Sequence, residues 1–327
     1  MKRSLTALLA LCLLAAGCGG ATGGGATKDG AAAYPRKGQT VQMIVGFSPG
    51  GTTDTWARVL ADGLSKETGA RFQVVNKPGA GTQIAQSYML GQPKNGSTIS
   101  VIGMPSGLNY VYTGEKAPFD RSDFLPVGAL GYTPNTLVAR TDSPYKSLQD
   151  VIKAAKAKPG KLNAAFDGAA DDAVVYSQLK STEGVTFNTV TFNGGSEKVQ
   201  ALMAGDVDFY CGALSGVMPQ VKSGKFRVLA VFDEKRSTLV PDAPTAKEQG
   251  VEILSPNRFG ITMSKGTPEN IRKGLEDAMR NVSKDSAYAK RNESTFVERQ
   301  FLDGPKFIEF WTDQEKLVKT ASKNFGI

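Results

Sequence analysis

Four glycine-rich loops, each placed between an apolar run and a helical pattern, have residue types suited to binding an anion. They begin near Ser48, Gly79, Asp167 and Asn193. Glycine lets a ligand approach backbone N–H groups closely, and the free N–H groups at the start of a helix favour negative charge. Three of the loops add Ser or Thr hydroxyls. Because such neutral donors can hold a carboxylate without an arginine or lysine, the pattern predicts reversible capture of a small acid.

The residue inventory offers little for catalysis or for a cofactor. The 327 residues include no histidine, which removes the commonest general base and the commonest metal ligand. Ser106 lacks the G-x-S-x-G elbow of a hydrolase, and no loop completes a P-loop or a dinucleotide-binding fingerprint. We therefore expect no enzyme activity, no cofactor and no metal site. A lipid-anchored hydrolase with Ser106 as nucleophile is the rival interpretation from another class.

The elements that must position these loops follow a repeated order of strand, glycine loop and helix. This order is typical of a parallel sheet covered by helices, in which ligands bind beyond the carboxyl ends of the strands. Two similar sets of such units predict an α/β fold of two lobes with a ligand cleft between them. The predicted strands cover residues 41–47, 72–75 and 98–103 in the first set and 162–166, 187–192, 209–212 and 228–232 in the second.

The first residues predict export and membrane attachment. A basic start precedes an apolar run, residues 5–16, that is too short to span a bilayer as a helix. Small residues then lead directly to Cys18, as at the cleavage site of a lipoprotein signal. We predict a signal peptide over 1–17, followed by a lipidated N-terminus and flexible tether over 18–36, which would anchor an extracytoplasmic protein to a membrane. The alternative is an ordinary secretory signal with an incidental cysteine.

Charge and cysteine content narrow the class of partner further. The net charge of +8 is spread along the chain without a basic run, which disfavours nucleic acid and is compatible with attracting anionic ligands. Beyond the N-terminal segment, Cys211 is the only cysteine, so no intrachain disulfide is expected in the fold. It lies in an apolar run and is expected to be buried.

Five segments of the chain together carry a family pattern. They are FSPGGTTDTWARVLADGLSKETG, VVNKPGAGTQIA, SLQDVIKAAKAKPGKLN, FNGGSEKVQALMAGDVDF and MPQVKSGKFRVLAVFDEKRSTLVPDAPTAKEQG. In this order they resemble the tripartite tricarboxylate transporter receptor family, also called the Bug or TctC-like proteins. The resemblance covers nearly the whole chain after the tether. Its most specific parts are the PGG-x-x-D loop and the segment 236–250.

The resemblance implies a periplasmic-binding-protein-like fold whose two α/β lobes close on a small carboxylate. The first lobe would be discontinuous, with residues 37–137 and 257–327, and the second would cover 138–256. Such receptors deliver their ligand to a membrane permease of one large and one small subunit. A receptor that presents its liganded form to a membrane kinase would have the same fold and cleft, and stays an alternative.

The family pattern also implies a set of ligand contacts drawn from both lobes. In the first lobe these are Phe47, Ser48, Gly50, Gly51, Thr52, Thr53, Gly81, Thr82 and Ser106. In the second lobe they are Asp167, Gly168, Ala169, Asn193, Gly194 and Ser215.

An acidic loop departs from the family pattern. Relatives usually carry a polar, histidine-containing loop where this chain has residues 166–172, with carboxylates at Asp167, Asp171 and Asp172. We expect Asp171 and Asp172 to face solvent and cap the following helix. Alternatively, the ligand carries a cation, in which case Asp167 would pair with the ammonium group of an amino-acid-like ligand. In the first loop, Asp54 is expected to interact with the helix dipole and to orient the loop, after an N-cap at Thr53.

Overall fold

Short strands that end in glycine loops and lead into helices make up most of the chain. The computed structural model describes residues 34–113 and 117–325. The predicted signal peptide, Cys18 and most of the tether lie outside these residues. The strands are β1 Thr40–Val45, β2 Arg71–Asn76, β3 Thr98–Met104, β4 Phe124–Arg140, β5 Asn163–Phe166, β6 Asn188–Thr191, β7 Tyr210–Ala213, β8 Phe226–Val231, β9 Pro256–Ser264 and β10 Glu298–Leu302. The helices are α1 Thr52–Thr68, α2 Gln83–Leu90, α3 Asn109–Thr113, α4 Leu148–Ala157, α5 Ala170–Glu183, α6 Gly195–Ala204, α7 Met218–Lys222, α8 Glu269–Val282, α9 Ser286–Asn292 and α10 Gly304–Phe325.

The sheet arrangement is mixed rather than wholly parallel. β1 pairs in parallel with β2 and β3, and β5 pairs in parallel with β6, as the repeated strand–loop–helix order predicts. β9 pairs antiparallel with β3 and β4, and β10 pairs antiparallel with β4. The prediction of parallel sheets is therefore correct for the units that carry the glycine loops and wrong for the strands that join them.

The long strand β4 belongs to two sheet regions. Its residues 124–134 pair with β9, whereas its residues 135–140 pair with β7 and β8. At the change of partner, the Asn135 N–H donates to the Ser255 carbonyl at 3.1 Å, and Asn135 Nδ2 donates to Ser255 Oγ at 2.8 Å. We call the strands β1–β3, β9, β10 and residues 124–134 the first half, and β5–β8 with residues 135–140 the second half. The division into lobes at 137/138 and 256/257 remains a prediction.

Separate apolar cores lie under the two halves. Trp56 of α1 and Phe259 of β9 are fully buried in the first half, and Tyr176 and Phe209 are buried in the second. The C-terminal helix α10 contacts β4 and also packs on α5, where Ser177 Oγ donates to the Ala321 carbonyl at 2.8 Å. Among the described residues, none of the helices is both long and apolar enough to cross a membrane.

Candidate functional site

A cleft of about 480 Å³ lies between loops of the first half and loops of the second half. Its walls come from the start of α1, the loops after β3 and β5, the start of α6, the segment after β7, the start of β9 and the segment before β10. The lining residues are Phe47, Ser48, Gly50, Gly51, Thr52, Thr53, Thr55, Ser106, Asp167, Asp171, Gly194, Gly195, Ser196, Glu197, Lys198, Val199, Gln200, Tyr210, Ala213, Ser215, Gly216, Pro219, Gln220, Asn257, Phe259, Ser294, Thr295 and Phe296.

The N-termini of two helices meet this cleft from opposite sides. The N-cap of α1 is Gly51 and that of α6 is Gly194, and a glycine has no side chain that could cap the helix. The predicted N-cap at Thr53 is therefore wrong, because the helix begins at Thr52, two residues before the start that this N-cap implies. The unpaired N–H groups and dipole of each helix favour an anion at this place.

Asp54 anchors the first loop from outside the cleft. Its carboxylate accepts hydrogen bonds from the Gly50 N–H at 2.9 Å, from Arg58 Nε at 3.0 Å and from Asn76 Nδ2 at 2.9 Å. Loss of water opposes ionisation of Asp54, but the bonds from Arg58, Gly50 and Asn76 outweigh it and hold its pKa below the usual value. Gly50 has a φ of +82°, a conformation that glycine adopts without strain. The expectation that Asp54 lies in the first helical turn and orients the loop is confirmed.

Ten of the fifteen predicted contact residues line the cleft. Those ten are Phe47, Ser48, Gly50, Gly51, Thr52, Thr53, Ser106, Asp167, Gly194 and Ser215. They come from both halves and from the four segments that follow β1, β3, β5 and β7, together with the loop before α6. The structure thus brings together residues up to 168 positions apart in the chain. Their role as ligand contacts remains a prediction.

The other five predicted residues do not line the cleft and contact neighbouring side chains. Thr82 Oγ1 accepts from Gln86 Nε2 at 3.1 Å, and the Gly81 backbone lies against Asn109. Gly168 offers its carbonyl to Asn109 Nδ2 at 2.9 Å, and the Ala169 N–H donates to Asp167. Asn193 is exposed, and its N–H and side-chain amide both donate to Glu197.

The acidic loop is partly neutralised from within the protein. Lys198 of α6 is buried, and its Nζ lies 2.7 Å from Asp172 Oδ2, 3.1 Å from Asp167 Oδ2 and 3.1 Å from the Cys211 carbonyl. The expectation that Asp171 and Asp172 face solvent is wrong, because their exposed fractions are 7% and 0%. The three carboxylates lie close enough together to hold a cation, and the Lys198 ammonium supplies that charge.

Burial and charge set the protonation of this cluster. Burial alone would lower the pKa of Lys198, but the carboxylates of Asp167 and Asp172 outweigh it and hold that pKa well above its usual value. Lys198 is therefore an ammonium ion at neutral pH. Burial, with added repulsion from Asp167, raises the pKa of Asp171 to about 6. Asp171 consequently titrates close to the physiological range.

Several residues that line the cleft were not predicted from the sequence. Lys198 carried a detectable signal, because Lys198, Ala201 and Leu202 follow the i, i+3, i+4 spacing of a buried helical face. Asn257 enters the cleft from the start of β9, within the segment where the chain was expected to return to the first lobe. Phe296 comes from an irregular segment before β10 whose sequence carries no comparable signal.

Loops of the two halves touch each other across the cleft. Asn109 Nδ2 in the first half donates to the Gly168 carbonyl in the second at 2.9 Å. A Cβ atom placed on Gly216 would lie 2.9 Å from Thr52 Oγ1 on the opposite side. The Lys222 ammonium lies 4.4 Å from the centre of the Phe296 ring. These contacts describe a cleft whose walls have closed together.

Comparisons with known proteins agree on one family. A family model described as the tripartite tricarboxylate transporter family receptor matches residues 56–327. A Cupriavidus necator protein described as "UPF0065 protein in gbd 5'region" is 31% identical, covering 91% of this chain and 93% of its own. Protein BugT of Bordetella pertussis is 29% identical, covering 85% and 87%. The structure of MatC from Rhodopseudomonas palustris with bound malate is 25% identical, with a TM-score of 0.79, covering 86% and 98%.

Proposed function

We propose a function from the family to which the chain belongs, that of the tripartite tricarboxylate transporter receptors. Members of this family are extracytoplasmic solute-binding receptors with the periplasmic-binding-protein fold. The chain captures a small carboxylate in the cleft and delivers it to a membrane permease of one large and one small subunit. The observation that carries the proposal is the meeting of the α1 and α6 N-termini at one cleft.

Neutral donors dominate the part of the cleft where these helices meet. The starts of both helices present glycine backbone, and hydroxyl groups stand beside it at Ser48, Thr52, Thr53 and Ser196. Donors of this kind can hold a carboxylate by hydrogen bonds and helix dipoles, without an opposing full charge. Capture in this form is compatible with release, which a transport receptor requires. The volume of about 480 Å³ falls within the range of small-ligand sites.

The malate-bound relative supports a small organic acid as the ligand class. Malate is the ligand in the MatC structure, whose fold matches this chain along most of its length.

A thermal-shift panel of mono-, di- and tricarboxylates and amino acids tests this proposal. A ligand that binds only the folded state raises the melting temperature, and the shift grows with the logarithm of its concentration over Kd. Ser215→Ala should weaken the response to the best ligand, since Ser215 Oγ is buried at the cleft without a hydrogen-bond partner among the described residues. Ser223→Ala, which removes an exposed hydroxyl outside the cleft, is the matched control. If no small acid shifts the protein at millimolar concentration, carboxylate capture is wrong.

Attachment to the membrane through a lipid on Cys18 belongs to the same proposal. It is supported by the short apolar run and by the small residues before the cysteine. Wild-type protein should incorporate labelled palmitate and fractionate with membranes, whereas Cys18→Ser should do neither. Palmitate incorporation that persists in Cys18→Ser would contradict the assignment of Cys18.

A further inference from the structure

The cleft is acidic although the protein is basic. Among the described residues that line it, the charged side chains are Asp167, Asp171, Glu197 and Lys198. Three acidic residues thus line the cleft with one lysine, while the whole chain carries a net charge of +8. A second or third carboxylate on a ligand would enter a field of its own sign.

Partners within the protein satisfy three of these four charged groups. Lys198 is bound by Asp172, Asp167 and the Cys211 carbonyl. Asp167 also accepts from the Ala169 N–H at 3.0 Å, and Glu197 accepts from Asn193. Lys198 therefore has little capacity left for a ligand carboxylate.

Asp171 is the exception. Its side chain is 93% buried at the cleft wall, and its Oδ1 atom has no hydrogen-bond partner among the described residues. A buried carboxylate oxygen without a donor is costly, and a ligand that supplies a donor would remove that cost.

Two uncharged acceptor atoms at the cleft also lack a hydrogen-bond donor. Asn257 Oδ1 and Gln220 Oε1 are buried without a hydrogen-bond partner in the described part of the chain. Asn257 uses its Nδ2 group on Asn135 Oδ1 at 3.5 Å, which leaves the oxygen for another donor. Together with Asp171, these atoms give the cleft a set of acceptors that lack donors, whereas the helix N-termini are rich in donors.

We infer that the ligand carries an ammonium group as well as a carboxylate, with Asp171 as the acceptor of the ammonium and the N-termini of α1 and α6 as the site of the carboxylate. This inference rests on the proposed function and narrows its ligand class to amino acids, with the amino group in the α or the ω position. An ammonium group offers three donors and neutralises one carboxylate, which a plain acid cannot do.

Matched pairs of probes that differ only in the amino group test the inference by titration calorimetry. Suitable pairs are L-norvaline with pentanoate, γ-aminobutyrate with butyrate, and L-glutamate with glutarate. In the wild type, the amino member of at least one pair should bind tenfold or more tightly than its plain counterpart. Asp171→Asn should abolish this preference, whereas Glu183→Gln, which removes a carboxylate at the far end of α5, should preserve it.

The pH dependence of binding supplies a second readout. The groups that face Asp171 are Asp167, Asp172, the Lys198 ammonium and, from β7, Tyr210 and Cys211. From α10, the buried residues beside α5 are the uncharged Val318 and Ala321. Because burial raises the pKa of Asp171 to about 6, affinity for the amino probe should fall about tenfold between pH 7.5 and pH 5 in the wild type and stay level in Asp171→Asn.

The outcomes separate the inference from the proposed function. If plain acids bind more tightly than their amino counterparts, or if affinity rises below pH 6, the inference is wrong. Protonated Asp171 would then donate a hydrogen bond to a ligand carboxylate, and the proposed capture of a small acid would still hold. An amino preference that survives Asp171→Asn would also overturn it. If neither member of any pair binds, the proposed function fails together with the inference.

Discussion

The Lys198 ammonium lies 2.7 Å from the Asp172 carboxylate, with both side chains almost wholly excluded from water next to the cleft. A pair of this kind fixes the start of α5 against α6. It also joins the loop after β5 to the loop before α6, which are the two second-half loops predicted from the sequence to meet the ligand. The geometry of this side of the cleft therefore depends on an ion pair whose two charges both belong to the protein.

Lys198→Met is expected to destabilise the protein strongly. The substitution keeps an unbranched chain of similar size but leaves Asp167 and Asp172 buried without a counter-charge. Breaking a buried pair in this way costs about 3–5 kcal/mol of unfolding free energy. Urea denaturation at pH 7 measures the loss, and Lys153→Met on the exposed face of α4 should change stability by no more than about 0.5 kcal/mol.

The double variant Lys198→Met with Asp172→Asn separates lost charge balance from lost packing. Removing one carboxylate along with the ammonium should recover part of the stability that Lys198→Met loses. A double variant no more stable than Lys198→Met alone would show that the lysine acts through packing.

Local periodicity could have placed Lys198 on a buried face, but its partner could not be predicted from the sequence. Asp172 is 26 residues away, and the two meet only because β5 and β7 lie side by side. Charged residues at the start of a helix are usually solvated, so the sequence favoured an exposed Asp172. The tertiary contact that overrides this preference depends on the order of strands, which no local pattern specifies.

Asp171 should make the protein less stable as the pH rises. Its pKa is about 6 in the folded chain, above the ordinary aspartate value near 4. The folded state therefore holds its proton more tightly than the unfolded state, and this contribution is present below pH 4 and lost as the pH rises through 6. At pH 7.5 Asp171→Asn should be more stable than wild type by about 3 kcal/mol, and the difference should shrink towards pH 4. Urea titrations of both proteins across this range check it, and parallel stability curves would contradict the raised pKa.

Much of the fold could be predicted from the sequence. The long strand β4 was not predicted, and it shows why the rest could not be. The strands before the glycine loops are short segments with clear ends, and the structure contains each of them. β4 is 17 residues long and includes Pro126, Gly128, Gly131 and Pro134. Proline and glycine in a sequence usually predict turns, not a strand. Its register shifts at two of these places and its pairing partners change after Pro134, so the irregular residues permit the change of sheet.

Asp54→Asn is expected to weaken ligand binding although Asp54 does not line the cleft. The carboxylate holds the Gly50 N–H and also bonds Arg58 and Asn76, so its loss should loosen the loop that carries Ser48. We expect a loss of about 1–3 kcal/mol in unfolding free energy, as for a buried hydrogen-bonded charge. Asp62→Asn, which alters an exposed pair on the same helix, should cost under about 1 kcal/mol. Calorimetric affinity and urea denaturation measure both effects, and wild-type affinity in Asp54→Asn would show that the loop keeps its shape without this anchor.

Gly216→Ala and Gly216→Val should impair closure of the cleft in proportion to side-chain size. A Cβ at this position would come within 2.9 Å of Thr52 Oγ1 from the other half, so either the Thr52 side chain rotates or the walls move apart, and the larger valine favours the second. Overpacking of this kind costs about 1–3 kcal/mol, which corresponds to an affinity loss of roughly 5- to 150-fold. The unfolding free energy should change little, because separation of the walls relieves the clash. Gly195→Ala is the control, since a Cβ there would have its nearest neighbour at 3.9 Å in the same cleft. Small-angle scattering at saturating ligand should show a larger radius of gyration for Gly216→Val than for Gly195→Ala. If Gly216→Val instead loses unfolding free energy and keeps its affinity, then the Thr52–Gly216 contact stabilises the fold and does not serve ligand capture.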